Sequence, residues 1–151
     1  MCRPPHYPSE DEKLRATSVS RRRGGNCPNS LEVLQQLKST VTGPATLDLV
    51  AVLPAQSSVA AQQIRAELEP RVSLHECIYR EEFTEPASSY IIKSLASGSR
   101  TIVNYNELPE MSVDEVKGVI DRVGKRTGWF HFEVCLAGVY YLASVSTGTR
   151  D

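Results

Sequence analysis

The sequence predicts an α/β protein that carries an additional group of antiparallel strands. Three observations lead there. An apolar run, LDLVAVLP at 47–54, is followed at once by an amphipathic stretch, SVAAQQIRAELEPR at 58–71. That strand-then-helix order is the signature of an α/β layer. A further amphipathic stretch, entered through two glycines, precedes the apolar run. Between 72 and 106, strand candidates then follow one another with no helix between them, which is the pattern of an antiparallel sheet rather than of a βαβ unit.

Length and composition set the frame. At 151 residues the chain has the size of one ordinary domain. Hydrophobic residues make up 40% and charged residues 23%, the balance of a globular protein with a core. A net charge of −1 gives no general attraction to nucleic acid or to an anionic membrane. No apolar run reaches the roughly 18 residues that suggest a membrane span. The start, MCRPPHYPSEDEK, lacks the apolar centre of a secretory signal. The four cysteines, Cys2, Cys27, Cys77 and Cys135, form no CxxC pair and have no histidines at zinc-ligand spacing. They read as free thiols, which points to a reducing cytoplasm.

Residues 1–13 contain Pro4, Pro5 and Pro8 and are expected to form an extended, poorly packed lead-in. LRATSVSRRR at 14–23 alternates weakly and predicts a strand. After Gly24 and Gly25, a helix is expected from about Pro28 to Lys38. Leu31, Leu34 and Leu37 would share its apolar face, and Pro28 suits a first turn, where its missing N–H is not needed. LDLVAVLP predicts a buried strand, ended by proline. In the helix after it, Ala60, Ile64 and Leu68 form the stripe.

VSLHECIY (72–79), SSYIIKSLA (88–96) and RTIVNYN (100–106) are the consecutive strand candidates. Ser97-Gly98-Ser99 joins the last two as a hairpin turn. SVDEVKGVIDRV at 112–123 predicts a helix with a capping box between Ser112 and Glu115 and a C-cap at Gly124. WFHFEVCLAGVYYLA at 129–143 is β-prone, and its first half fits a central strand. The closing STGTRD is expected to fray.

Gly24-Gly25-Asn26, with Asn29 three residues on, exceeds the needs of an ordinary turn. Glycine permits positive φ and close approach of a ligand to the backbone. A helix start leaves N–H donors unpaired and carries partial positive charge. Asn26 and Asn29 each offer a donor and an acceptor. Such a mixture suits a ligand with neutral hydroxyls better than a phosphate, for which GxxxxGK[ST] is the usual pattern. A tight strand-to-helix turn with an asparagine cap accounts for the same residues equally well.

GGNCPNSLEVLQQL resembles the first signature of the ribokinase-like (PfkB) sugar kinases, and most closely their ketohexokinase-like members. Three further stretches resemble the family in the same order. They are HYPSEDEKLRA, leading into the first lid strand; SGSRTIVNYNELPEMS, the lid segment; and GWFHFE, the strand that follows. Together they span roughly residues 6–133. The resemblance implies a ribokinase-like, Rossmann-type sheet with helices, here incomplete, and an antiparallel β lid built from strands at about 14–23 and 88–106. It implies that Gly25, Asn26 and Asn29 lie against the hydroxyls of an acceptor sugar, and that Arg100 reaches the transferred phosphate. Glu133 would lie in the magnesium–phosphate region, acting through water. ATP and Mg2+ are the cofactors implied for the complete family enzyme, and the lid strands imply a homodimer. Taken without the family, Arg100 reads as a solvated hairpin residue and Glu133 as a strand-end carboxylate.

The family base is the aspartate of a GAGD motif, whose glycines also build an anion hole at a helix start. This sequence has no GAGD, and Gly148-Thr149-Arg150-Asp151 is not a substitute for it. The adenine-binding region and the first family strand are also missing from it. The resemblance stops after Glu133. Val-Cys at 134–135 is how the intron-start hexamer GTATGT is translated, so an intron-derived tail is expected over 134–151. Residues 1–133 then read as part of a kinase that phosphorylates a ketohexose or related sugar, inactive as this chain. The apolar strands LDLVAVLP and WFHFEVCLAGVYYLA are expected to lack neighbours on at least one side and to favour aggregation. The alternative is a non-catalytic protein of the same fold that binds sugar or pairs with a kinase. Arg21-Arg22-Arg23 alone, without an aromatic platform, falls short of a nucleic-acid footprint.

Overall fold

The computed structural model describes residues 1–38, 45–134 and 140–147. Over these residues it is a mixed α/β fold with three α-helices, a four-stranded mixed sheet, a three-stranded sheet and a small parallel sheet, and no barrel is formed among them. In chain order the strands are β1 (Cys2–Arg3), β2 (Ser18–Val19), β3 (Ala45–Val50), β4 (Val52–Pro54), β5 (Ile78–Arg80), β6 (Ser88–Lys93), β7 (Arg100–Tyr105), β8 (Trp129–Val134) and β9 (Tyr140–Thr147). The helices are α1 (Asn26–Lys38), α2 (Val59–Leu68) and α3 (Val113–Val123). Two compact units emerge: Met1–Arg23 with Ala87–Glu107, and Gly24–Pro86 with the described part of Leu108–Asp151. No helix among the described residues is long and apolar enough to cross a membrane.

The first unit is a sheet of order β2-β1-β6-β7. β6 and β7 form the expected hairpin, turning through Gly98 at φ +70. The sheet is mixed rather than antiparallel, because β1 joins β6 in parallel. The opening residues are therefore part of a strand arrangement and not a loose lead-in. The prolines permit this because they lose a donor but keep an acceptor. The carbonyls of Pro4 and Pro5 accept from the amides of Leu95 and Ala96 at 3.1 and 2.9 Å. The strand expected over 14–23 is reduced to Ser18–Val19, antiparallel to β1.

The second unit is layered, and β3–β4 runs through its middle. Side chains alternate faces along a strand. Leu47, Leu49, Ala51 and Leu53 pack with Cys27, Leu31 and Leu68 of α1 and α2. Val50 and Val52 pack with Val119 and Val123 of α3. Burial on both faces explains why LDLVAVLP is almost continuously apolar. α1 inserts Cys27 and Leu31 and rests Leu34 on the core, while Leu37 at the end of the expected stripe is 57% exposed. α2 uses Ala61, Ile64 and Leu68, and its entrance is capped by the Ser58 hydroxyl accepting from Ala61 N–H. α3 has the capping box of Ser112 and Glu115. Gly124 is its C-cap but keeps right-handed helical geometry and opens a 3-10 turn over Gly124–Arg126.

Arg80 fixes α3 from β5. Its guanidinium donates to both Glu115 oxygens, at 2.6 and 3.0 Å, and to the carbonyls of Pro109 and Glu110. The Glu115 carboxyl is held down to about 2, first by Arg80 and then by the Ser112 amide.

Two expectations about strand order change. β8 is not a central strand: the order is β3-β9-β8, and β9 pairs antiparallel with both neighbours. Ser146 and Thr147, expected to fray, are paired in β9. β3 has partners on both sides, since Leu49 N–H donates to Ser73 and Ser73 N–H to Leu47 at 2.9 and 2.8 Å. The lack of neighbours expected for LDLVAVLP is thus filled along β3, whereas among the described residues β4 is paired only with β5 and β8 only with β9. The strand expected over 72–79 shrinks to Ile78–Arg80, because a turn closed by Cys77 N–H to Leu74 carbonyl interrupts it. Within the tail expected from Val134, residues 135–139 and 148–151, including Cys135 and most of STGTRD, lie outside the described residues.

Candidate functional site

The entrance to α1 is built by one glycine, not two. Gly25 has φ +96, and a Cβ there would lie 3.2 Å from Pro28 Cδ. Both facts favour glycine. Nothing stands within 4 Å of a Cβ at Gly24. The Gly25 carbonyl accepts from Asn29 N–H at 3.2 Å, the first helical hydrogen bond. The helix therefore begins at Asn26, two residues before the expected start at Pro28. The asparagine-cap reading shifts accordingly: Gly25 occupies the capping position and Asn26 lies inside the first turn.

α1 has no acidic residue in its first turn. The carboxylate near its start comes from β8. Asn26 Nδ2 donates to Glu133 Oε2 in a long contact of 3.5 Å, across 107 residues of sequence. Negative charge there complements the exposed N–H groups and partial positive charge of a helix start. Glu133 Oε1 meets His131 Nε2 at 3.1 Å. The Trp129 indole stacks on the His131 ring, with centroids 5.6 Å apart and planes at 30°. Trp129, His131 and Glu133 share a face of β8 because alternate residues do. The other face carries Phe130 and Phe132, whose rings also stack.

Beneath this polar entrance lies Cys27, 1% exposed. Burial pushes its thiol up to about 11; the Glu133 charge adds to that rise and a backbone hydrogen bond from Glu133 opposes it. A thiol kept protonated is a poor nucleophile. Cys77 is likewise pushed up to about 12 by burial and donates to the Leu49 carbonyl at 3.2 Å. Neither buried thiol is suited to covalent chemistry.

Of the residues singled out from the sequence, Gly25, Asn26 and Glu133 are assembled at one place, with Asn29 exposed on the same helical turn. Arg100 belongs to the first unit. It opens β7, is exposed, and lies opposite Lys93 in the hairpin register. Two residues were missed by sequence reasoning. His131 could have been found from the period-two alternation of WFHFE, which puts it on the face of Glu133. Lys93 could not, because its pairing with Arg100 depends on hairpin register. Among the described residues, no group of three or more His, Cys, Asp or Glu side chains could hold a metal ion. A separate open depression of about 420 Å³ in the second unit, lined by Arg65 and Tyr79 among others, contains none of these site residues.

Comparison with protein-family models and with curated proteins gave no match. The chemistry of the entrance thus stands on its geometry. The Asn26 amide, the Glu133 carboxylate and the N–H groups of the α1 start meet there, a mixture of donors and an acceptor.

Proposed function

We propose that the α1 entrance binds a ketohexose or related sugar, and that the chain is the sugar-side portion of a ribokinase-like (PfkB), ketohexokinase-like carbohydrate kinase with an incomplete Rossmann-type sheet and a β lid. The observation carrying this reading is the meeting of Asn26 and Glu133 beside the Gly25 turn. Asn26 and Asn29 can donate to and accept from hydroxyls, and Glu133 retains acceptor capacity beyond its bonds to His131 and Asn26.

The residues present fit ATP and Mg2+ only in part. Lys93 and Arg100, adjacent across the hairpin, offer the cationic surface that phosphate oxygens need. Glu133 is a single carboxylate, too few protein ligands to hold Mg2+ by itself, so it fits a water-mediated contact to an ion carried by the nucleotide phosphates. When bound, ATP would supply the phosphoryl group. The chain's own residues bind and orient the acceptor. With no GAGD aspartate in the sequence, these residues by themselves are proposed to bind sugar without phosphorylating it.

Sugar binding predicts saturable thermal stabilisation by D-fructose. The rise should vanish in Asn26→Ala while its ligand-free melting temperature stays near that of the wild type. A wild-type chain whose melting point ignores D-fructose, D-ribose and sorbitol would remove this function. Sugar phosphate formed from ATP by the purified chain would remove the non-catalytic part of the reading. A second reading, pairing with another kinase chain through the lid strands, is favoured by the exposure of Tyr90 and its cross-strand neighbour Val103 at 65% and 60%. Sedimentation of the chain alone and with a complete ketohexokinase-like protein would test it.

A further inference from the structure

We infer that His131 is a positioning residue, which holds the Glu133 carboxylate against Asn26 without itself touching the ligand; its role in sugar recognition rests on the proposed function above. A glutamate side chain has several rotatable bonds and loses conformational freedom when it is held. At this site each carboxylate oxygen has its own partner: His131 Nε2 on Oε1 at 3.1 Å and Asn26 Nδ2 on Oε2 at 3.5 Å. The second contact is long, so it does not fix the carboxylate by itself.

His131 is in turn held by Trp129, whose ring stacks on it with centroids 5.6 Å apart. Trp129 is the only tryptophan in the chain. The order of support runs from indole to imidazole to carboxylate to amide. Each Glu133 oxygen keeps a further lone pair for a ligand hydroxyl. Removing the imidazole would free Glu133 to rotate away from Asn26 and would loosen a pair that must present donor and acceptor together.

Two titratable groups among the described residues bear on His131. Glu133 is its partner on β8, and the Cys27 thiol lies under Glu133 from α1. On β9 the register sets Ala143 opposite His131 and Tyr141 opposite Glu133. An imidazole half-hidden on a strand face, with side-chain exposure of 34%, can be exchanged without opening the core.

The test uses the full chain with His131→Gln, His131→Phe and Glu133→Gln. The side-chain amide signals of Asn26 are followed by 15N NMR, first without ligand and then with D-fructose. His131→Phe keeps a ring for Trp129 but removes the nitrogen, so the Asn26 signal should move. His131→Gln restores a polar donor, so the signal should return towards the wild-type position. Glu133→Gln should move both the Asn26 amide and the His131 ring protons. Fructose affinity should weaken roughly threefold to tenfold in His131→Phe and recover in His131→Gln, an effect the size of one hydrogen bond. An Asn26 signal that stays in place in His131→Phe, or a glutamine variant no better than phenylalanine, would overturn the inference. These signals decide it without ligand. If they follow His131 as expected while fructose leaves the wild-type spectrum unchanged, the positioning stands and the sugar reading falls.

Discussion

The two compact units reach order by different means. In the second, Leu31, Leu49, Val50 and Val119 are at most 2% exposed, and β3–β4 has helices packed on both faces. In the first, every residue of β7 is exposed, and Val19, Tyr90 and Val103 are more than half so. Its strands are joined mainly by backbone hydrogen bonds, including one from the N-terminal amine to the Ser20 carbonyl at 2.6 Å. Burial of apolar area is the larger source of stability, and a sheet without a covered face is marginal. The contrast teaches that the second unit sets the cooperative stability, while the first opens locally at lower free energy.

The sharpest way to break that contrast uses the cysteines. Cys2 in the first unit is exposed, whereas Cys27 and Cys77 are buried. With thiols raised to about 11 and about 12, the buried pair should react with iodoacetamide at neutral pH slower than an ordinary free cysteine by on the order of a hundredfold or more. Mass spectrometry should find Cys2 labelled before Cys27 and Cys77. Early labelling of Cys27 would mean that α1 does not stay docked.

Core truncation comes next. Leu49→Ala should lower the unfolding free energy by about 2–5 kcal/mol, and Val103→Ala by no more than about 0.5 kcal/mol, both read from urea denaturation. Comparable losses would erase the distinction between the units. The two glycines at the α1 entrance give a smaller contrast. Gly25→Ala forces a Cβ to φ +96 and into Pro28, and should cost about 1–3 kcal/mol. Gly24→Ala, with open space around it, should change stability by a few tenths of a kcal/mol at most.

A pH dependence is expected within the second unit as well. Glu115 has its folded pKa lowered from 4.5 to about 2, mainly by Arg80. A depressed carboxyl pKa contributes stability that is complete above the unfolded value and fades as pH falls towards the folded one. Wild-type stability should therefore drop by about 1–2 kcal/mol from this group between pH 4.5 and 2, the figure being reduced for solvent screening. Glu115→Gln should flatten that part of the curve. An unchanged acid limb would show that Arg80 does not hold α3 through this pair.

Much of the second unit was legible locally. The strand-then-helix order, the Ser112–Glu115 box and the apolar stripe through Leu31 depend on neighbours a few residues apart, which a sequence displays directly. The first unit was less legible. Pro4 and Pro5 argued against order, because a sequence shows the donors they lack but not the carbonyls they keep for Leu95 and Ala96. At the candidate site, Gly25, Asn26 and Glu133 were each visible, but His131 was not singled out, since its role comes from a ring stack and a hydrogen bond rather than from a motif.

By itself the sequence determined the α/β class, the helix starts at Ser58 and Ser112, the β6–β7 hairpin and the need for glycine before α1. These follow from periodicity, capping chemistry and backbone freedom, all of which act over a few residues. Only the tertiary structure decided that β9 lies between β3 and β8, that β1 runs parallel to β6, and that Asn26 meets Glu133. Those outcomes depend on which distant backbone fills an open edge, and on which side chain reaches a helix start, and neither is encoded in local spacing.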